Sequence, residues 1–358
     1  ALTNDDQANL AVAMAVRLLH PDIPVLARAM SRETVANMAS FNTDHIINPF
    51  AKFGGYLALA IASPGSYRLL SWLTGLPGTT LEPETAPPRG HWVVCGYGRF
   101  GREVVEAFRG HGMDVSIVEG AGTEAPTLID AGIERSVGVV AGTDDDITNL
   151  SIAVTARELN PRLFTILRQN LQANRALFAA FRADILMVSS EIIADECLAL
   201  IHTPLLGRFL EVVRRESDTW ADGVIARLQA SIGVAAPEIW SVRLNAADAP
   251  AMHRALFFEG AAVTVEDLRR DPAERTRPLA CEALYLARAD AGEVLPDGNT
   301  RLQAGDRVLF AGTRAARDAQ WPMLRNVNVR DYVLKGIELP GGWLWQKLAR
   351  SSGSEHLP

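Results

Sequence analysis

The chain has 358 residues, of which 48% are hydrophobic and 22% are charged, and its formal net charge is −7. This composition excludes a disordered, collagen-like or disulfide-rich chain, and at roughly 100–200 residues per domain the length indicates two or three domains. The acidic balance argues against a nucleic-acid partner, because such a partner requires a basic face. Cys95, Cys197 and Cys281 form no CxxC pair, which fits a reducing compartment. No apolar run reaches the roughly 18 residues that a membrane helix needs.

The opening segment, residues 1–75, recurs later in the chain. When the sequence is shifted by 140 positions, residues 3–64 align without a gap with residues 143–204. The matched pairs include Thr3/Thr143, Asp5/Asp145, Asp6/Asp146, Asn9/Asn149, Arg17/Arg157 and Arg28/Arg168. We interpret residues 1–75 as a truncated first copy of a repeated unit, whose glycine-rich half would lie upstream of Ala1. The Pro-rich stretch over residues 76–90 is typical of a linker.

Residues 91–205 form the more complete second copy, in which short apolar runs alternate with helical spacing. Strands are predicted at 91–95, 114–119, 137–141, 163–167 and 185–188, and helices at 102–111, 149–159, 173–181 and 191–201. Such alternation indicates a parallel sheet covered by helices on both faces. The predicted fold class is therefore α/β, with tandem Rossmann-like doubly wound sheets, the first of them truncated.

The pattern changes after about residue 205. Short β-like runs at 239–244, 283–288 and 307–311 are separated by turn residues, which predicts a small α+β domain over residues 206–320. Residues 321–358 are predicted to be a C-terminal tail.

The strongest candidate site is the turn Gly96-Tyr97-Gly98-Arg99-Phe100-Gly101, between a predicted strand and a predicted helix. In such a turn the first glycine allows the tight bend, the second lets phosphates approach the backbone and the third lets helix pack on strand. Glu119 ends the next strand, where an acid that binds a ribose belongs. The alternative is a glycine-rich turn that binds nothing.

A second cluster, Thr143 to Asp146 together with Asn149, follows the strand at 137–141. Open α/β sheets bind ligands at the carboxyl ends of their strands, so these residues and Arg168, on the same edge, are candidates for a ligand or a divalent cation. The alternatives are helix capping by the acids and a surface role for Arg168. No nucleophile motif, P-loop or metal-binding histidine pair is found, so no catalytic or metal site is predicted.

Residues 93–101, 131–135, 143–150 and 156–161 resemble RCK domains, also called KTN or Trk-type NAD-binding (TrkA-N) domains. Residues 295–312 resemble the small C-terminal ligand-sensing (TrkA-C) domain of the same family. The resemblance implies regulation and not catalysis: binding of NAD(H), ATP or ADP, or sometimes cations, assembly into dimers or rings, and control of a membrane pore. It also implies roles for single residues. A nucleotide would be held by Gly96, Tyr97, Gly98, Arg99, Phe100 and Gly101, its ribose by Glu119, its adenosine side by Thr143 and Asp144, and a phosphate by Arg168.

The chain departs from the family after Glu119, because family members place a further helix and strand before the next helix. Here Glu119 runs into residues 120–123, either through a deletion or through a missing stretch, and a true deletion would weaken nucleotide binding.

We therefore predict a gating module at the cytoplasmic face of the membrane, assembled as a homo-oligomer. Its pore domain would lie upstream in the same chain or in a separate subunit. The alternatives are an NAD-dependent oxidoreductase and an assembly scaffold that binds no ligand.

Overall fold

The computed structural model describes residues 1–75, 80–81, 86–120, 122–289 and 291–337, with the backbone alone at residues 195–196 and 198–202. These residues cluster into two compact units, one within Ala1–Arg68 and Pro83–Leu198 and the other within Leu69–Glu82 and Ala199–Pro358. Most of the predicted linker at 76–90, and the predicted tail from residue 338 onward, lie outside the described residues.

The first copy forms a short βα pattern. Its elements are α1 (Asp6–Leu19), β1 (Leu26–Arg28), α2 (Arg32–Ser40), β2 (His45–Ile47), α3 (Pro49–Ala62) and α4 (Pro64–Thr74). β1 and β2 pair in parallel, and buried Ala13, Ala27, Ala29 and Met38 form a small core beside them.

The second copy forms a five-stranded parallel sheet in the order β4-β3-β5-β6-β7. Its elements are β3 (His91–Cys95), α5 (Arg99–Gly110), β4 (Asp114–Val118), α6 (Ala125–Asp130), β5 (Gly138–Ala141), α7 (Asp146–Leu159), β6 (Phe164–Gln169), α8 (Arg175–Phe181), β7 (Ile185–Val188) and α9 (Ser189–His202). The five predicted strands are confirmed within two residues at each end, whereas α5 and α7 begin three residues before the predicted helices.

Both faces of this sheet are covered by hydrophobic side chains. Val93, Cys95, Val139 and Ala141 contribute to one core, and their sequence neighbours Trp92, Val94 and Val140 contribute to another. Because successive strand residues point to opposite faces, the sheet is buried on both sides, as a doubly wound fold requires. The predicted α/β, Rossmann-like fold class is confirmed.

The two copies share structure as well as sequence. α1 and α7 have the same bounds after a shift of 140 positions. The strand registers also correspond, with Leu26 opposite His45 in one copy and Ile166 opposite Ile185 in the other.

The second unit contains α10 (Pro204–Val213), α11 (Asp218–Ile232), β8 (Glu238–Arg243), α12 (Pro250–Phe257), β9 (Cys281–Arg288), β10 (Ala291–Val294), β11 (Arg307–Gly312), α13 (Arg314–Arg325) and α14 (Val327–Lys335). Its antiparallel sheet has the order β10-β9-β11-β8. The sequence analysis did not predict β10. The predicted boundary at residue 320 falls inside α13, and Met323, Leu324 and Val333 pack in the same core as β9 and β11.

Two buried thiols make the stability of the protein depend on pH in the alkaline range. Burial raises the pKa of Cys95 and of Cys281 to about 12 from the ordinary 9.0. Above pH ~9 the unfolded chain therefore loses a proton that the folded chain keeps, so stability falls as pH rises towards the folded pKa.

We expect the free energy of unfolding to fall about 1.4 kcal/mol per pH unit more steeply in the wild type than in Cys95→Ala between pH 9 and 11. Urea unfolding at several pH values measures both slopes, and Cys281→Ala should flatten the curve by a similar amount. Parallel curves for wild type and Cys95→Ala would contradict the prediction.

Candidate functional site

The glycine turn joins β3 to α5 as the sequence predicts. Gly96 has φ +91°, and a Cβ there would lie 2.9 Å from the Thr143 backbone nitrogen. A Cβ on Gly101 would lie 2.1 Å from the carbonyl oxygen of Gly96. By contrast, a Cβ on Gly98 would meet no atom within 4 Å. Gly96 and Gly101 are thus required by close packing, and Gly98 faces open space.

The first turn of α5 is suited to an anion. Gly98 is the N-cap residue and gives no side-chain cap to the helix, so the first backbone N–H groups lack the partner that a Ser or Asp cap supplies. These N–H groups and the positive end of the helix dipole favour negative charge at this point. Arg99, the first helical residue, is exposed.

The other turn residues contribute in different ways. Phe100 is fully buried, with its ring 5.3 Å from that of Phe53 and 6.2 Å from that of Phe50. Only its backbone N–H is therefore left for a ligand. Tyr97 is half-buried, and its ring lies 5.7 Å from the Arg102 guanidinium.

Arg168 is buried beside the turn and is not the surface arginine of the alternative interpretation. Its side chain is 9% exposed, and its Nη1 donates to Asp144 Oδ1 at 2.6 Å. The guanidinium lies 4.8 Å from the centre of the Phe50 ring, and its buried Nε has no hydrogen-bond partner in the described part of the chain. Burial lowers the pKa of Arg168, and the Asp144 carboxylate acts in the opposite direction.

The acids at residues 144–146 already have partners. Asp145 caps α7 by accepting from the Thr148 backbone nitrogen at 2.7 Å. Asp146 accepts from the backbone nitrogens of Asn170 and Leu171. The capping interpretation is confirmed for Asp145, and the exposed carboxylate of Asp144 is shared with Arg168.

Asn149, which the sequence analysis grouped with the candidate ligand residues, is fully buried and joins two other predicted site residues. Its Oδ1 accepts from the backbone nitrogen and the hydroxyl of Thr143 at 2.8 and 2.7 Å. Its Nδ2 donates to the carbonyl oxygens of Thr143 and Arg168 at 3.0 and 2.9 Å. Asn9 makes the corresponding bonds to Thr3 and Arg28 in the first copy. The Thr/Asn pair recurs at matching positions of both copies, which was the sequence signal for this structural role.

Glu119 is exposed and directly follows β4. The described residues between Val118 and α6 contain no strand, and on the described sheet β4 is an edge strand. Gly122, with φ +61°, packs close enough that a Cβ would lie 3.0 Å from Cys95 Sγ. Gly122 therefore lies against the carboxyl end of β3, next to the glycine turn.

Two further searches cover only the described residues. No three His, Cys, Asp or Glu side chains there are arranged to hold a metal ion. None of the helices in that part of the chain combines the length and apolarity needed to cross a membrane.

Comparison with known proteins gives a family match and two curated relatives. The TrkA-N domain family matches residues 1–49 and 111–189. An uncharacterized protein of Methanothermus fervidus is 26% identical over 140 residues, 34% of this chain and 22% of that protein. Potassium channel protein 1 of Methanocaldococcus jannaschii is 27% identical over 96 residues, 21% of this chain and 29% of that protein. The chain thus covers less than a third of either curated relative.

Among solved structures, the crystal structure of the GsuK RCK domain has a TM-score of 0.45 at 18% identity, covering 89% of this chain and 78% of that one.

The residues matched by the TrkA-N family include four predicted site residues, Glu119, Thr143, Asp144 and Arg168, but leave out the glycine turn. One matched segment falls in each copy of the repeated unit.

Proposed function

We propose that this chain is a cytosolic regulatory module that binds an adenine nucleotide, or NAD(H), and passes a conformational change to the pore of a potassium channel or transporter. The observation that carries the proposal is the glycine turn at the uncapped start of α5, open at Gly98. The TrkA-N match and the similarity to a potassium channel protein support the link to potassium transport. That relative is a channel, so the proposed role is regulatory and not catalytic.

The residues at the turn fit a phosphate-bearing ligand. Backbone N–H groups at the start of α5 would donate to a phosphate, and the lack of a side chain at Gly98 would allow it to approach. Arg99 and Arg168 would add positive charge, with Thr143 and Asp144 on the adenosine side. The nucleotide would supply charge and shape but no chemistry. A divalent cation is not included, because Asp144, Asp145 and Asp146 each have a protein partner.

The proposal extends to the arrangement of the chain. We assign residues 1–75 and 91–205 to tandem RCK units. We assign the domain that starts near residue 206 and includes α13 and α14 to a TrkA-C-like domain, and the assembly to a homo-oligomer at the cytoplasmic face of a membrane. α3 of the first copy packs against α5 of the second, where a Cβ on Gly54 would lie 3.1 Å from Glu103 Cβ. We assign α9, which is the counterpart of α3 in the second copy, to packing of the same kind against another copy of the repeated unit.

An assembly scaffold that binds no nucleotide is the second candidate. The observation in its favour is the short link after Glu119, which packs against Cys95 beside the turn. The two candidates differ in one measurable property, namely stabilisation by a nucleotide.

We expect AMP, ADP, ATP or NAD(H) to raise the melting temperature of the wild type, since a ligand at 100 times its Kd adds about 2.7 kcal/mol. Gly98→Val should remove this shift, because the isopropyl group would occupy the space of the phosphate. Gly110→Val is the matched control, since a Cβ there also meets no atom within 4 Å. Thermal unfolding measures all three proteins. The absence of any shift in the wild type would contradict the proposal and favour the scaffold.

A further inference from the structure

The antiparallel sheet of the second unit has an outer edge at β8. β8 pairs with β11 on one side, and none of the strands that the structure describes pairs with its other side. Leu244 donates its backbone N–H to the Asp306 carbonyl oxygen at 2.8 Å, towards β11. Because backbone groups alternate in direction along an antiparallel strand, those of Ile239 and Ser241 point away from β11. This edge therefore presents donors and acceptors that match another extended chain.

A groove lies beside this edge, between β8 and α13. Its volume is about 690 Å³, and its lining includes Trp240 and Val242 from β8 and Gln320, Trp321 and Leu324 from α13. A free edge strand beside an apolar groove is an arrangement in which proteins recognise extended peptides. Backbone hydrogen bonds to the edge supply affinity, and the groove accepts alternate side chains of the peptide.

The two tryptophans of the β8–α13 groove differ in how firmly they are held. Trp240 is fixed, because its ring stacks on that of Phe310 at 5.7 Å and its Nε1 donates to Gln320 Oε1 at 2.8 Å. Trp321 is 53% exposed, and its ring centre lies 4.3 Å from the Arg325 guanidinium. One wall of the groove is thus preorganised, and the other presents an aromatic ring that a bound side chain covers.

The charges along the edge favour an acidic partner. Arg243 is exposed and lies directly opposite Arg307 in the register of β8 and β11, and like charges in such positions repel each other. Burial lowers the pKa of Arg307, and the charge of Arg243 lowers it further. Among the side chains that the structure describes, no carboxylate forms an ion pair with either arginine. A carboxylate on a chain paired with β8 would lie next to Arg243 and offset the repulsion.

The acids that line the groove have partners of their own. Asp248 Oδ2 accepts from Asn245 Nδ2 at 3.0 Å, and Asp318 Oδ1 lies 3.4 Å from Arg317 Nη2. Arg317 also pairs with Glu238 at 2.6 Å. The two opposed arginines of β8 and β11 thus remain without an anion from the described side chains.

We propose that the β8–α13 groove binds an extended acidic peptide segment of a partner protein, which adds a strand to the outer edge of β8. Because successive side chains of a strand point to opposite faces, aliphatic residues of the peptide enter the groove beside Trp240 and Trp321. The residues between them are acidic and meet Arg243 on the other face. The inference goes beyond the proposed function: it concerns the second unit alone and does not depend on nucleotide binding.

The test is fluorescence anisotropy of a labelled peptide of the length of β8 in which valine and glutamate alternate, titrated with the wild-type chain and three variants. We expect Trp321→Ala to weaken binding about tenfold and Arg243→Gln about threefold. Arg301→Gln is the matched control, because Arg301 is exposed and follows Thr300, which bonds to Glu293 of β10 at the opposite edge of the sheet. It should bind the peptide as the wild type does.

Three further peptides test the mode of binding on the wild type, so the result does not depend on the folding of any variant. A peptide in which valine alternates with lysine should bind about tenfold more weakly. Two other peptides carry N-methyl groups on alternate amides, one on the valines and one on the glutamates. Only one of these two sets faces β8, so one methylated peptide should lose binding and the other should keep it.

Four results would overturn the proposal. They are no binding of the valine–glutamate peptide, equal binding of the valine–lysine peptide, equal behaviour of the two methylated peptides, and the same loss in Arg301→Gln as in Arg243→Gln. Sedimentation of the wild type and Trp321→Ala covers the other occupant. If the wild type binds no peptide but self-associates, and Trp321→Ala does not, the edge of β8 pairs with a second copy of this chain.

Discussion

Gly101→Ala is expected to destabilise the protein by roughly 4 kcal/mol, more than a typical overpacked core substitution. The added Cβ would lie 2.1 Å from the carbonyl oxygen of Gly96 and 3.1 Å from its carbonyl carbon. These are backbone atoms of the turn itself, so no side-chain rotation relieves the contact. Either α5 moves away from β3 or the turn distorts, and both lose packing of the buried Phe100, Val104 and Phe108.

Urea unfolding of Gly101→Ala and Gly98→Ala side by side measures this effect. Gly98→Ala is the matched control because it adds the same methyl group three residues earlier, into space with no atom within 4 Å. Its free energy of unfolding should stay within about 1 kcal/mol of the wild type. Equal stability of the two variants would show that α5 does not pack on β3 as closely as the structure requires.

The contrast between these glycines also shows what the sequence could predict. The spacing of the three glycines, between an apolar run and helical spacing, was sufficient to locate the turn and to predict the close packing at Gly96 and Gly101. Strand positions were predictable for a similar reason, since strands buried on both faces are continuous apolar runs bounded by polar residues, as at 91–95 and 138–141.

Helix starts were less predictable. α5 begins at Arg99 and not at residue 102, because Gly98 takes an extended conformation and the helix includes Gly101. Sequence rules disfavour glycine inside a helix, but here the close contact with β3 outweighs that preference. β10 escaped prediction for another reason: Ala291–Val294 is a short, mostly exposed strand that pairs only with β9, so it has no apolar alternation.

The candidate site shows the same division. The composition of the turn predicted which residues would face a phosphate. The burial of Arg168 against Phe50 depends instead on α3 of the first copy, which the sequence around Arg168 does not indicate. Contacts of this kind appear only once the two copies pack together within the first unit.

Asn149→Ala is expected to lower the free energy of unfolding by about 3 kcal/mol. The residue is fully buried, and its side chain satisfies the backbone nitrogen of Thr143 and the carbonyl oxygens of Thr143 and Arg168. Removal of the amide leaves several buried polar groups without a partner, and each such group costs about 1–3 kcal/mol. Because Thr143 and Arg168 are both candidate site residues, we also expect weaker nucleotide binding.

The repeated unit supplies an internal comparison for this prediction. Asn9 bonds to Thr3 and Arg28 in the same pattern, so Asn9→Ala should cost a similar free energy of unfolding in chemical denaturation. Asn149→Asp should also destabilise, because it keeps the acceptor to Thr143 but loses the two Nδ2 donors. The Asn9→Ala and Asn149→Ala variants would then differ mainly in their affinity for AMP, measured by titration. The reason is that Asn9 bonds to Arg28 in the first copy, whereas Asn149 bonds to Thr143 and Arg168 beside the glycine turn. A near-neutral Asn149→Ala would mean that another group, or water, satisfies the Thr143 and Arg168 backbone in its place.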